Sequence, residues 1–184
     1  PIVVAERLTD VIAIVCWVVV GSLGFRGGWY WAGLGGLAVA LGLLGILWEA
    51  PMRALLAHLE HGRWAHWVPK LERAYDSLRV VASPSALVWP VLLSVLGWGL
   101  EGLALHLLLA GFDRAPAVSF SMFFYATATL AGALVPVPGG LGVTEAVIHQ
   151  QLVSIAGAPE PVAAASMILI RMATLWWAVV VGFL

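Results

Sequence analysis

Three ionisable residues stand deep inside apolar stretches, where a charge is costly unless it has work to do. Glu101 lies in Leu96-Gly97-Trp98-Gly99-Leu100-Glu101-Gly102-Leu103, and Arg171 in Ile168-Leu169-Ile170-Arg171-Met172-Ala173-Thr174. Glu145 opens the apolar run that follows Pro136-Val137-Pro138-Gly139-Gly140-Leu141-Gly142. A charge at the centre of a bilayer costs roughly 2.5–3.5 kcal/mol even on the gentler insertion scale. Such residues therefore face a bundle interior or a wet cavity and pair with one another. The sequence predicts an Arg171–Glu145 or an Arg171–Glu101 pair. It either lines a cavity for a polar headgroup or ties helices together as a structural ion pair.

The Pro136–Gly142 run cannot continue as regular helix, because prolines remove backbone donors and glycines leave the backbone bare. At membrane depth the freed groups need partners from protein or from a water-lined cavity. The run feeds a helix whose first turn is Val143-Thr144-Glu145. A helix N-terminus carries free N–H groups and partial positive charge, which suits a phosphate. Broken helices of this kind form substrate sites in transporters. Two other readings stand beside this one: Glu145 caps and neutralises that end, or the run is a re-entrant turn needed only for folding.

Glu6-Arg7-Leu8-Thr9-Asp10 precedes the first apolar span. Glu6 and Asp10 are four residues apart on one helix face, with Arg7 three before Asp10. They read as gating residues, or as interfacial charges that set the helix end.

Other patterns carry little. Gly97-x-Gly99-x-x-Gly102 matches a dinucleotide fingerprint but lies inside an apolar span with no strand before it. His58 and His61 have ligand-like spacing without carboxylates in a buried setting, so no metal is expected. His106 and His149 lie in or near spans and offer a proton-relay reading. No nucleophile motif and no phosphate loop is present, and no cofactor or catalytic residue is predicted. One cysteine, Cys16, excludes an internal disulfide and any multi-cysteine metal site.

The elements that must position these residues follow from composition. The 184 residues are 62% hydrophobic and 10% charged, against roughly 45–50% and about 25% in soluble domains. The net charge of −1 provides no basic footprint for nucleic acid. The expected fold is all-α: a polytopic membrane helical bundle with a Pro/Gly-broken or re-entrant helix, a single transmembrane domain over 1–184. Spans are predicted at Leu8–Gly24, Trp29–Trp48, Leu87–Leu109, Val118–Val135 and from Val162 onward, with a shorter helix at Thr144–Ala156. Residues 52–83 carry eight of the nineteen charges and apolar residues at helical spacing. They predict an amphipathic interfacial helix or helix pair, bent near Pro69, acting as a lipid-surface sensor or as a plain connecting segment. Six basic residues on their side against two on the other place 52–83 in the cytoplasm. Apolar or abrupt ends suggest a piece of a longer membrane protein.

The order of Glu6-Arg7-Leu8-Thr9-Asp10, the Pro136–Glu145 run and Arg171-Met172-Ala173-Thr174 resembles the lysylphosphatidylglycerol synthase transmembrane family, also called the flippase-like domain family. Its members include the membrane half of the multiple peptide resistance factor. The Pro-Gly-Gly-Leu-Gly-x-x-Glu run is the most specific part, and the match is to the later part of that domain. The resemblance implies a bacterial or archaeal inner-membrane protein that moves a lipid between leaflets or helps to. That lipid is aminoacyl-phosphatidylglycerol in the best-known members and a polyprenyl-linked or hopanoid-type lipid in others. Aminoacyl transfer belongs to a separate soluble domain, so no enzyme activity is carried over.

The expected substrate-binding residues are Pro138, Gly139, Gly140 and Gly142 of the break, with Glu145, Arg171, Glu101 and Thr174. Glu6, Arg7 and Asp10 are the expected gating or interfacial set. The expected partners are a membrane lipid and a homo-oligomer or soluble synthase domain. Two other functions compete: a membrane-embedded headgroup transferase using Glu101, Glu145 or Asp10 as acid or base, and a scaffold that docks a synthase domain through 52–83.

Overall fold

The computed structural model describes residues 2–24, 30, 33, 37, 49–60, 65–81 and 84–183, and these show helices and connecting turns with no strand among them. Helix α1 spans Ile2–Ser22, α2 Glu49–Glu60 and α3 Val68–Val81, the last entered through a 3-10 turn at Ala65–Trp67. Helix α4 is the longest, Pro84–Gly111, followed by α5 at Val118–Ala133. A 3-10 turn at Pro138–Gly140 leads to α6, Val143–Ser154. Helix α7 covers Glu160–Arg171, passes through a π-helical turn at Met172–Trp176 and continues as α8, Trp177–Gly182.

The expected span Trp29–Trp48 lies outside the described residues apart from Tyr30, Gly33 and Leu37. The segment 52–83 is a helix pair, but Pro69 does not bend either member. It sits in the first turn of α3, where its missing N–H deprives no carbonyl of a partner. Helix α3 packs on α1 and buries Val68 and Tyr75, seven residues apart on one face. Arg53 reaches Asp76 across α2 and α3 at 3.8 Å, with both side chains more than half exposed. Such a pair adds little stability.

Two helices are long and apolar enough to cross a membrane, Leu87–Gly111 and Glu160–Gly182. Only 17% of the apolar window of each is buried within the chain, whereas a core helix of a soluble protein turns most of that surface inward. Trp89, Leu93, Leu96, Leu100 and Leu107 instead form an outward apolar face on α4.

The packed interior lies where α1, α4 and α5 meet α6 and α7, around the fully buried Phe124, Leu105, Leu109, Ile148, Leu152 and Ile170. Helices α1 and α5 come very close. A Cβ built on Gly21 would stand 2.7 Å from both the Phe123 Cβ and the Ser119 carbonyl oxygen. Against α4, the Trp17 indole N–H donates to the Val95 carbonyl at 2.8 Å and lies over Gly99, where a Cβ would meet its ring at 2.6 Å. Gly99 of the discarded fingerprint is thus a helix-packing residue.

Gly21→Val is expected to cost roughly 1–3 kcal/mol, the range for overpacking a tight contact. It should lower the melting temperature of the detergent-purified protein. Gly97→Val, where an added Cβ meets nothing within 4 Å, should leave the melting temperature unchanged.

Candidate functional site

Arg171 lies eleven residues from each end of the Glu160–Gly182 helix, one of the two long and apolar enough to cross a membrane. Its Nε donates to Glu145 Oε1 at 2.6 Å and its Nη2 donates to the Gly139 carbonyl at 2.6 Å. The Arg171 side chain is 9% exposed and that of Glu145 20%. The other carboxylate oxygen, Glu145 Oε2, accepts the Gly142 N–H at 2.7 Å, half of a capping box at the start of α6. The α6 N-terminus is thus occupied by a carboxylate from its own first turn, which is the capping reading of Glu145 rather than the open phosphate site.

The turn that brings these groups together demands glycine. Gly140 has φ +62, and a Cβ there would stand 2.6 Å from Thr144 Oγ1 and 2.9 Å from Gly132 Cα. The end of α5 and the loop are therefore in backbone contact, with the buried Thr144 hydroxyl beside both.

Beside this knot lies a cavity of about 600 Å³, within the usual range for small-molecule sites. Each wall is one stripe of a helix. Helix α1 contributes Arg7, Asp10 and Ile14, and α4 contributes Trp98 and Glu101. Helix α5 gives Tyr125, Thr129 and Gly132, and α7 with its extension gives Arg171, Thr174 and Ala178. Within each wall the residues named are three or four positions apart, as one helix face requires.

The acidic groups of the cavity have different surroundings. Asp10 Oδ1 accepts from Ser94 Oγ at 3.1 Å and Trp98 Nε1 at 3.2 Å. Arg7 reaches Asp10 Oδ2 at 3.7 Å from a side chain that is 75% exposed. Glu101 Oε2 accepts the Tyr125 phenol at 2.5 Å, and no described cation stands within ion-pair distance of Glu101. The sequence left open which acid pairs with Arg171; it is Glu145, while Glu101 shares the cavity with Arg171 without bonding to it.

Of the residues singled out from sequence, Gly139, Gly140, Glu101, Arg171, Thr174, Arg7 and Asp10 lie on the cavity wall. Glu145 and Gly142 hold the wall from behind. Pro138 is exposed in the turn, and Glu6 is exposed on α1 with its carbonyl accepting from Thr9 Oγ1 at 2.8 Å; neither lines the cavity. Ser94, Trp98, Tyr125 and Thr129 were not anticipated. Ser94, Trp98 and Glu101 fall at spacings of four and three, a polar stripe on an otherwise apolar helix that the sequence does display. Among the described residues no group of three or more His, Cys, Asp or Glu side chains is placed to hold a metal.

Two apolar, outward-facing helices of membrane length beside a cavity lined by charged side chains are the features of a membrane protein with a polar site. The chain belongs to the lysylphosphatidylglycerol synthase TM region family, whose profile matches residues 1–182. That membership makes it a membrane protein of lipid metabolism or transport. No curated protein and no solved structure matches the chain.

Removing one partner of a buried ion pair leaves the other charge uncompensated, a loss of about 3–5 kcal/mol. Arg171→Gln should show that loss as a lowered melting temperature. Arg171→Gln combined with Glu145→Gln should recover much of it, because no lone charge remains. A double variant as unstable as the single one would show that the pair's charges are not what destabilises the single variant.

Proposed function

We propose that this protein moves a lipid, or helps to move it, between the leaflets of a bacterial or archaeal inner membrane. In this reading it crosses the membrane several times, with 52–83 on the cytoplasmic side. The observation that carries the proposal is the cavity itself. Four ionisable groups, Arg7, Asp10, Glu101 and Arg171, line one chamber whose helices turn leucine and tryptophan outward. A polar headgroup fits inside such a chamber while acyl chains remain against the outward faces. That division lowers the main barrier to leaflet exchange, which is dragging a polar group through hydrocarbon.

The turn at Pro138–Gly140 and the helix after it fit the broken-helix reading. Helix α6 has twelve residues, about 18 Å of rise, against roughly 30 Å of hydrocarbon. It reaches depth and returns through α7, so the turn delivers Gly139 and Glu145 to Arg171 inside the membrane. The cargo is a phospholipid such as aminoacyl-phosphatidylglycerol, or a polyprenyl-linked or other glycolipid. The chain acts as a transporter rather than an enzyme, alone, as a homo-oligomer or beside a soluble synthase domain.

The test is a leaflet assay on vesicles containing the protein and a headgroup-labelled lipid, with quenching of the outer leaflet followed over time. The wild type is expected to move label between leaflets. The Arg171→Gln, Glu145→Gln double variant, inserted to the same level, is expected to move it at least about tenfold more slowly, the effect of losing some 1.4 kcal/mol at the site. Equal rates would take the pair out of the mechanism. No movement by the wild type above empty vesicles would overturn the proposal.

A further inference from the structure

The cavity's charges do not cancel, and the remainder falls on Glu101. From α1, Asp10 is met by Arg7 and by the Ser94 and Trp98 donors. From α7, Arg171 is met by Glu145 and the Gly139 carbonyl. From α5, the group facing Glu101 is the neutral phenol of Tyr125. On α4 itself, His106 is engaged with Ser121 at 3.4 Å. Glu101 is left with no cation of its own among the described residues, fourteen residues from Leu87 and ten from Gly111 in a helix long enough to cross a membrane. Tyr125 engages Oε2 and Glu101 lines the chamber, which leaves Oε1 as the oxygen for a further partner. An ionised carboxylate in such surroundings is ended in one of two ways, by a proton on it or by a cation beside it.

We propose that Glu101 is a proton-exchange site: it carries a proton while the chamber is empty and gives it up when the ammonium of a lipid headgroup enters. This rests on the reading of the chamber as a headgroup site. The step is a single proton transfer. The Glu101 O–H bond breaks, the proton leaves through water to the bulk solution, and the carboxylate pairs with the incoming ammonium, so the ammonium's charge replaces the proton's at Glu101. Tyr125 donates to Oε2 in both states and holds the carboxyl in place. Because proton and ammonium compete for one oxygen, headgroup passage in one direction is tied to proton passage in the other.

The experiment is calorimetric titration of the detergent-purified protein with short-chain phosphatidylethanolamine, repeated in buffers of different ionisation enthalpy. The dependence on buffer counts protons released. Wild type is expected to release about one proton per lipid bound near neutral pH. Glu101→Gln is expected to release none and to bind at least about tenfold more weakly. Tyr125→Phe keeps the carboxyl and is expected to release the proton still. Short-chain phosphatidylglycerol, which has no ammonium, is expected to release none. Binding of phosphatidylethanolamine without proton release, or release that persists in Glu101→Gln, overturns the exchange while leaving the headgroup site standing. Binding of neither lipid overturns both.

Discussion

A guanidinium at the midpoint of a membrane-length helix must be surrounded by acceptors, and the centre of this structure is arranged to supply them. Arg171 has a fixed fork of donors. Glu145 fills one branch and the Gly139 carbonyl another. To present that carbonyl, the chain must leave helix after Ala133, turn back through backbone conformations that glycine adopts easily, and restart at Val143. To present the carboxylate, α6 must begin where it does, so that its third residue reaches both its own cap and Arg171. The loop, the start of α6 and the placement of α7 thus answer to one charge.

Around that knot the helices divide their surfaces by the same periodicity. One stripe on each of α1, α4, α5 and α7 is polar and looks into the chamber, and most of the rest is apolar. The stripes face one another across a common space rather than packing together. A chamber is what remains. Its groups are handled in units: Arg171 with Glu145, Arg7 with Asp10, and Glu101 with an uncharged phenol.

Arg171, Glu145 and Glu101 were legible in the sequence because a charge in an apolar run is conspicuous in one dimension. Their pairing was not. Glu145 and Glu101 are 26 and 70 positions from Arg171, and only the path of the Pro138–Gly140 turn decides which one arrives. Tyr125 stayed hidden because a tyrosine in Phe123-Phe124-Tyr125 reads as one more apolar residue until its hydroxyl finds Glu101. Asp10 could be placed at a helix end, but Ser94 and Trp98 lie more than eighty residues away. The helices at 84–111, 118–133, 143–154 and 160–171 came through from apolar length to within a turn at their ends, whereas α1 begins six residues before the expected Leu8, because its charged first turns carry no apolar signal. Pro69 marks the start of the second helix of the 52–83 pair rather than a bend within one, because a proline is tolerated in a helix's first turn and breaks it only further in.

The π turn at Met172–Trp176 gives the last wall a property the other walls lack. A π turn is an α-helix holding one surplus residue, swallowed locally so that the helix beyond keeps its facing. Deleting one residue inside Met172–Trp176 returns that stretch to ordinary α-helix and leaves the face beyond Trp177 where it was. The same deletion in the middle of α4 turns everything after it by about 100° and takes a whole stripe off the chamber. Relatives of this chain can therefore differ in length by one residue just past the arginine, where a change in the other walls would dismantle them.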